Sequence, residues 1–245
     1  MSSNENIGAS APTSSAPNRG DAIIVFIKLP GAVPVKTRLG TEIGNDRAAA
    51  LYRRFVEDEM EILAASGADI IVACDPPGGI PGAELWLGGA FAYAEQGAGD
   101  LGERMSAALA RAFGMGYGRA LLVGSDIPDL PGPMIAQTLS ALDSHDAVIG
   151  PASDGGYFLV GFNARSFEPR IFADIPWSTE TVLAYTTNRL RQYGKSFHLL
   201  PAWHDVDSWG DLERLLARIS SGNGAAPRTR AWCAENLPDL AGNGA

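Results

Sequence analysis

Ala22-Ile23-Ile24-Val25-Phe26-Ile27 is an unbroken apolar run that passes straight into Lys28-Leu-Pro-Gly-Ala-Val-Pro-Val-Lys36-Thr37-Arg38-Leu39-Gly40. A continuous apolar run, rather than an alternating one, is what a strand buried on both faces requires. Outward from it, the segment 45–66 predicts a helix, with Leu51, Tyr52, Phe55, Val56 and Met60 on one side and Arg and Glu on the other. Strands are predicted at 70–73, 91–94, 120–123, 147–149, 157–160 and about 197–200. Helices are predicted at 101–113 and at about 132–143, 179–193 and 208–219. Strands alternating with helices give an α/β fold, a mostly parallel sheet covered on both faces as a three-layer α/β/α sandwich. Such sheets bind ligands beyond the carboxyl ends of their strands.

Composition narrows the function. The 245 residues carry 19 Lys plus Arg against 28 Asp plus Glu, a net charge of −9, which argues against gripping a nucleic-acid polymer or an anionic membrane. Two cysteines, Cys74 and Cys233, and three histidines in no metal-like spacing argue against a Cys/His zinc site and fit a reducing cytoplasm. Residues 1–20 read as a disordered tail without the apolar core of a secretion signal. One folded domain is expected over 21–220. Residues 221–245 read as a C-terminal tail that Trp232 and Leu237 tether to the core.

Three cations, Lys28, Lys36 and Arg38, follow the first strand in a loop stiffened by Pro30 and Pro34, a natural pair of residue types for a polyphosphate. The loop is neither a P-loop, since Val35 stands where its second glycine belongs, nor a GxGxxG dinucleotide fingerprint. Gly114-Met-Gly-Tyr-Gly118 reads as a helix C-terminus and turn. After 120–123 come Gly124-Ser125-Asp126-Ile127-Pro128-Asp129. Asp126 is placed to hold Mg²⁺ with nucleotide phosphates, whereas Asp129 is expected to cap the next helix. Asp154-Gly155-Gly156 has the composition of a tight hairpin. Asp205-Val206-Asp207 precedes a helix that Ser208 and Asp211 cap, and Asp207 is the candidate second carboxylate for the metal. Ser178 reads as a simple N-cap. No GxSxG occurs, and His145, His198 and His204 lack the partners of a hydrolase triad.

In order, Lys-x-Pro with Lys36-Thr37-Arg38-Leu39, Gln96 with Asp100-Leu-Gly102-Glu-Arg104-Met, Gly-Ser-Asp126-x-Pro, Asp154-Gly-Gly-Tyr157, Trp177-Ser-Thr179 and Asp205-Val-Asp207 resemble a bacterial family of glycosyltransferase-A-like transferases. These are often named for association with radical-SAM enzymes or arsenosugar biosynthesis. The resemblance spans 22–216 and implies the nucleotide-diphospho-sugar transferase fold. It implies a nucleotide donor held by Lys28, Pro30, Lys36, Thr37, Arg38, Gln96, Gly102 and Arg104, with Lys36, Arg38 and Asp126 catalytic. It also implies Mg²⁺ or Mn²⁺ on Asp126 and Asp207, and a small-molecule acceptor beside Asp154, Gly155, Gly156, Tyr157, Trp177 and Thr179. Val33 departs from the family, which usually has glycine about three residues before the Lys. Glycosyl and nucleotidyl transfer both remain open, with a non-catalytic nucleotide-sensing domain as the alternative from another class.

Overall fold

The computed structural model describes residues 19–237. Its centre is β1, Asp21–Lys28, which alternates sides along its length. Ile23, Val25 and Ile27 point into one core and Ala22, Ile24 and Phe26 into another. That period of two, apolar on both sides, explains why the sequence reads as an unbroken run.

The sheet has seven strands in the order β3-β2-β1-β4-β6-β5-β7. They are β2 (Asp69–Asp75), β3 (Ala92–Glu95), β4 (Arg119–Val123), β5 (Ala147–Pro151), β6 (Tyr157–Asn163) and β7 (Phe197–Leu199). β1 pairs in parallel with both β2 and β4, while β6 runs antiparallel to β4 and β5. β5 and β6 form the hairpin expected of Asp154-Gly-Gly. The strand order reverses between β1 and β4, which opens a crevice where their carboxyl ends part.

One face is covered by α1 (Thr37–Ile43), α2 (Asn45–Ala64), α3 (Ile80–Leu87), α5 (Gly132–Ala141), α7 (Trp209–Ser220) and α8 (Pro227–Asn236). The other is covered by α4 (Leu101–Gly114), a 3₁₀ turn at Pro169–Phe172 and α6 (Val182–Gln192). The architecture is therefore the expected three-layer sandwich.

Several expectations change. The Lys-Thr-Arg loop is the start of a helix, α1. α3 begins where Pro81 and Gly82 hid it, since proline at a first helical turn is a start and not a break. Part of the segment read as a tail is α8, whose Cys233 and following Leu237 are buried against the α2 core. Residues 1–18 and 238–245 of the predicted tails lie outside the described residues. Asp129 caps nothing; it is 1% exposed, with its carboxylate accepting from Arg218 Nε at 2.9 Å and Trp203 Nε1 at 3.3 Å. Ser178 caps nothing either, because α6 starts four residues later, after Thr181. Both cysteines are free and buried, and burial pushes the Cys74 thiol up to about 11. Among the described residues no helix is long and apolar enough to cross a membrane.

Candidate active site

Beyond Lys28 the chain folds into a tight turn, in which the Leu29 carbonyl accepts from the amides of Ala32 and Val33 at 3.1 and 3.2 Å. Pro30 and Val33 bridge across it. Lys36 then takes left-handed backbone angles, φ 47°, at the N-cap of α1. With Leu39 and Ile43 of α1 buried in the core, this conformation carries the Lys36 side chain inward.

Lys36 Nζ lies 2.6 Å from Asp126 Oδ1 and 2.7 Å from Asp207 Oδ1. The lysine side chain is 4% exposed, and the carboxylates are 43% and 41% exposed. Burial by itself would lower the lysine pKa; the attraction of Asp126 and Asp207, with their hydrogen bonds, outweighs it and leaves the pKa raised. Asp126 comes from the end of β4 and Asp207 from the residue before the α7 cap. The two loops are tied together by Val206 N donating to Asp126 O at 3.0 Å. At the α7 terminus Ser208 and Asp211 form the expected capping box, which fixes the chain next to Asp207.

Two cavities meet at this triad. One, about 430 Å³, is lined by Lys28, Lys36, Gln96, Arg104, Asp126 and Asp207 among others. The second, about 350 Å³, is lined by Asp154, Gly156, Tyr157, Trp177, Thr179 and Asp205, and it shares Asp126, Asp207, Leu101, Met105 and Tyr157 with the first. The first has three cations on its wall and the second none. A larger, shallower depression of about 700 Å³ surrounds Asp21, Arg119 and Asp143 at the opposite end of the strands, where those charges already pair with one another.

Not every predicted residue faces the cavities. Gln96 is on the wall of the first, but its amide donates to Ile27 O and Ala73 O at 3.0 and 3.1 Å and accepts from Arg104 Nη1 at 3.0 Å. It thus clamps β1 to β2 and orients Arg104, whose buried Nε has no hydrogen-bond partner. Pro30, Thr37, Arg38, Gly102 and Gly155 line neither cavity. Arg38 is exposed on the first turn of α1, and the Pro30 carbonyl accepts from Arg53. Gly102 backs onto the Trp177 indole, where a Cβ would come within 2.6 Å of the ring. Gly155 lies under the Glu180 carbonyl with φ +88°.

The structure also adds residues. Asp205 has its carboxyl pushed up to about 6 by burial and by the charges of Asp207 and Asp154. Tyr52 holds the Ser125 hydroxyl at 2.7 Å and accepts from Lys28 N at 3.1 Å, joining α2 to the ends of β1 and β4. Glu59 of α2 is fully buried, and Asp58 beside it is nearly so. Neither oxygen of Glu59 makes a well-formed hydrogen bond, and burial and the Asp126 charge push its pKa well up, with partial compensation from the Ile127 amide. An acidic residue four positions after Phe55 and three after Val56, inside the apolar stripe, was the available signal for it.

The carboxylate pair suits a hard divalent cation. Its Oδ1 atoms converge on one cationic nitrogen, and two carboxylates plus substrate phosphate oxygens is a common arrangement for Mg²⁺. Among the described residues no group of three or more His, Cys, Asp or Glu is placed to hold a metal without such help.

The profile of a bacterial family described as "Uncharacterized protein conserved in bacteria (DUF2064)" matches residues 59–179. A crystal structure of a candidate nucleotide-diphospho-sugar transferase from Desulfovibrio desulfuricans G20 is 38% identical with a TM-score of 0.81, covering 90% of this chain and 97% of that one. CMP:2-keto-3-deoxy-manno-octonic acid synthetase complexed with CTP, at 12% identity and a TM-score of 0.52, covers 82% of this chain and 99% of its own and shares the fold. So does Rv0371c of Mycobacterium tuberculosis H37Rv, solved in complex with manganese, at 12% identity and a TM-score of 0.51, covering 80% of this chain and 97% of its own. No curated protein sequence matches the chain.

Proposed function

Because the chain belongs to the same family as the Desulfovibrio protein, we propose that it transfers a glycosyl group from a nucleoside diphosphate sugar to a small acceptor, with a divalent cation at Asp126 and Asp207. The observation that carries this reading is the convergence of those carboxylates at the seam between a cationic cavity and an anionic one. A donor's diphosphate calls for the Lys28, Lys36 and Arg104 side; an acceptor's hydroxyls call for hydrogen-bond acceptors such as Asp154 and Asp205 and an apolar wall such as Tyr157 and Trp177.

The acceptor oxygen forms a bond to the anomeric carbon while that carbon's bond to the diphosphate breaks. The nucleoside diphosphate leaves with the electron pair, and the acceptor proton departs to solvent. A bound cation supplies neutralisation of the charge building on the leaving group. Lys28 and Arg104, on the wall of the first cavity, would hold the diphosphate, and Trp177, edge-on to Tyr157 at 6.3 Å, shapes the wall along which the acceptor would lie.

Nucleotidyl transfer is the second reading, favoured by the cations that follow β1. The turn weighs against it, because the amides of Ala32 and Val33 that would cradle a triphosphate are spent on the Leu29 carbonyl. A thermal-shift panel of nucleotide sugars and nucleoside triphosphates with Mg²⁺ or Mn²⁺ decides between them. A ligand at about 100 times its Kd stabilises by about 2.7 kcal/mol. Preference for a nucleotide sugar is the expected result; preference for a triphosphate over every nucleotide sugar overturns the glycosyl reading. Asp126→Asn is expected to lower turnover by about 100-fold or more while nucleotide binding stays measurable. Undiminished turnover would remove Asp126 from the metal site, and absence of turnover in the wild type with every bound donor would leave a sensing domain.

A further inference from the structure

We infer that Lys36 is a built-in counter-ion that alternates with the divalent cation on Asp126 and Asp207, so that metal loads only when a nucleotide diphosphate takes the ammonium over. The inference rests on the glycosyl-transfer reading for its metal pair and adds how that pair is regulated. Nζ sits 2.6 and 2.7 Å from the Oδ1 atoms of the two carboxylates, the contact distance at which it occupies the place of a bound cation. It approaches from the protein side: the lysine side chain is 4% exposed, while both carboxylates keep more than a third of their surface open to solvent. Its backbone is fixed by the left-handed turn at the start of α1 and by the burial of Leu39 and Ile43 just beyond, so the ammonium belongs to the framework of the site.

An ammonium and a divalent ion on one pair of oxygens repel each other strongly, since charges a few ångströms apart in a half-buried site are poorly screened. Either cation alone satisfies the pair. For the metal to enter, the ammonium needs another anion within reach of its own stem. A diphosphate in the adjoining cavity, whose wall already includes Lys36, is that anion, and its free oxygens complete the metal's shell. Metal and nucleotide then bind as one unit, each raising the other's affinity by the same factor. Lys36 acts here as a positioning residue that denies the site to bare metal.

The test measures Mn²⁺ binding by the electron paramagnetic resonance signal of the free ion, for the wild type, Lys36→Met and Lys36→Arg. Each protein is titrated alone and with saturating UDP, GDP, CDP or ADP. The wild type is expected to bind Mn²⁺ weakly alone and at least about tenfold more tightly with the preferred diphosphate, a usual size for such coupling. Lys36→Met is expected to bind Mn²⁺ alone at least about tenfold more tightly than the wild type, with the nucleotide effect much reduced. Lys36→Arg, which keeps the charge, should behave like the wild type. Melting curves with and without Mn²⁺ confirm that each variant is folded, and Mn²⁺ should raise the melting temperature of Lys36→Met more than that of the wild type. Equal binding of bare Mn²⁺ by the wild type and Lys36→Met overturns the inference and leaves the metal-dependent transferase reading standing. Failure of all three proteins to bind Mn²⁺ under any condition overturns both.

Discussion

Glu59 is the residue whose chemistry departs furthest from its surroundings. Burial without well-formed hydrogen bonds, with the Asp126 charge nearby, holds its pKa well above the ordinary carboxylate value, and that direction has a definite sign for stability. The unfolded chain ionises Glu59 above its ordinary value of 4.5, whereas the folded chain does not, so stability falls as pH rises from there toward the folded pKa. Asp205, raised to about 6, acts in the same direction at lower pH, so the contrast with a variant isolates Glu59. Glu59→Gln, which keeps the shape and cannot ionise, should gain stability relative to the wild type on going from pH 5 to pH 8. Urea midpoints at the two pH values measure this, and parallel shifts in both proteins would refute a protonated Glu59. At this scale the sequence was informative about which groups matter and silent about their partners. Asp126 and Asp207 stand out by following a strand and preceding a cap. That Lys36 pairs with both depends on a turn and a sequence separation of 171 residues to Asp207. Asp129 was misread because a local rule, capping, competes with a distant partner, Arg218, that no local pattern announces.

Among the elements, the central strands were the most readable, because a strand buried on both sides can only be apolar throughout. Three helices escaped: α1, which follows a lysine in a left-handed conformation, α3, which carries Pro81 and Gly82, and α8, which lies in a segment read as a tail. The β5–β6 hairpin shows how an element serves a site. Its turn glycine, Gly155, has φ +88°, and its carbonyl accepts from Leu183 N at 3.0 Å, which joins the hairpin to the start of α6. A Cβ there would collide with the Glu180 carbonyl. Gly155→Ala is therefore expected to cost about 2 kcal/mol or more through backbone strain and to push the 176–181 loop away from the hairpin. Trp177 and Thr179 ride on that loop. The variant should accordingly lose acceptor use, read as a raised KM for acceptor, before it loses donor binding, read by thermal shift. Equal losses of both would detach the loop from the acceptor.

For the molecule as a whole, a charge of −9 is compatible with the proposed phosphate site because Lys28, Lys36 and Arg104 are gathered on one wall of one crevice. The sheet brings that wall together from β1, the start of α1, and α4, and α8 completes the layer that holds α1 and α2. α8 has no cap of its own; the carboxylate of Asp58, on α2, accepts from the amides of Arg228 and Thr229 at 3.0 and 2.8 Å. Asp58→Ala is expected to destabilise the protein by about 2 kcal/mol, the upper range for a lost helix cap, and to make the chain after residue 226 susceptible to limited proteolysis. Unchanged melting and cleavage patterns would show that α8 is held by its apolar contacts alone. The same bond bears on biosynthesis. Asp58 is made early and its partners 170 and 171 residues later, so until Thr229 has emerged from the ribosome this carboxylate faces water and the side of α2 that α8 covers stays open. Chains that lack α8 lose the apolar cover that Cys233 and Leu237 give the α2 core and open more often, and proteases remove them first. The α2 layer of the core is thus closed only when a segment made about 170 residues after Asp58 has docked on it.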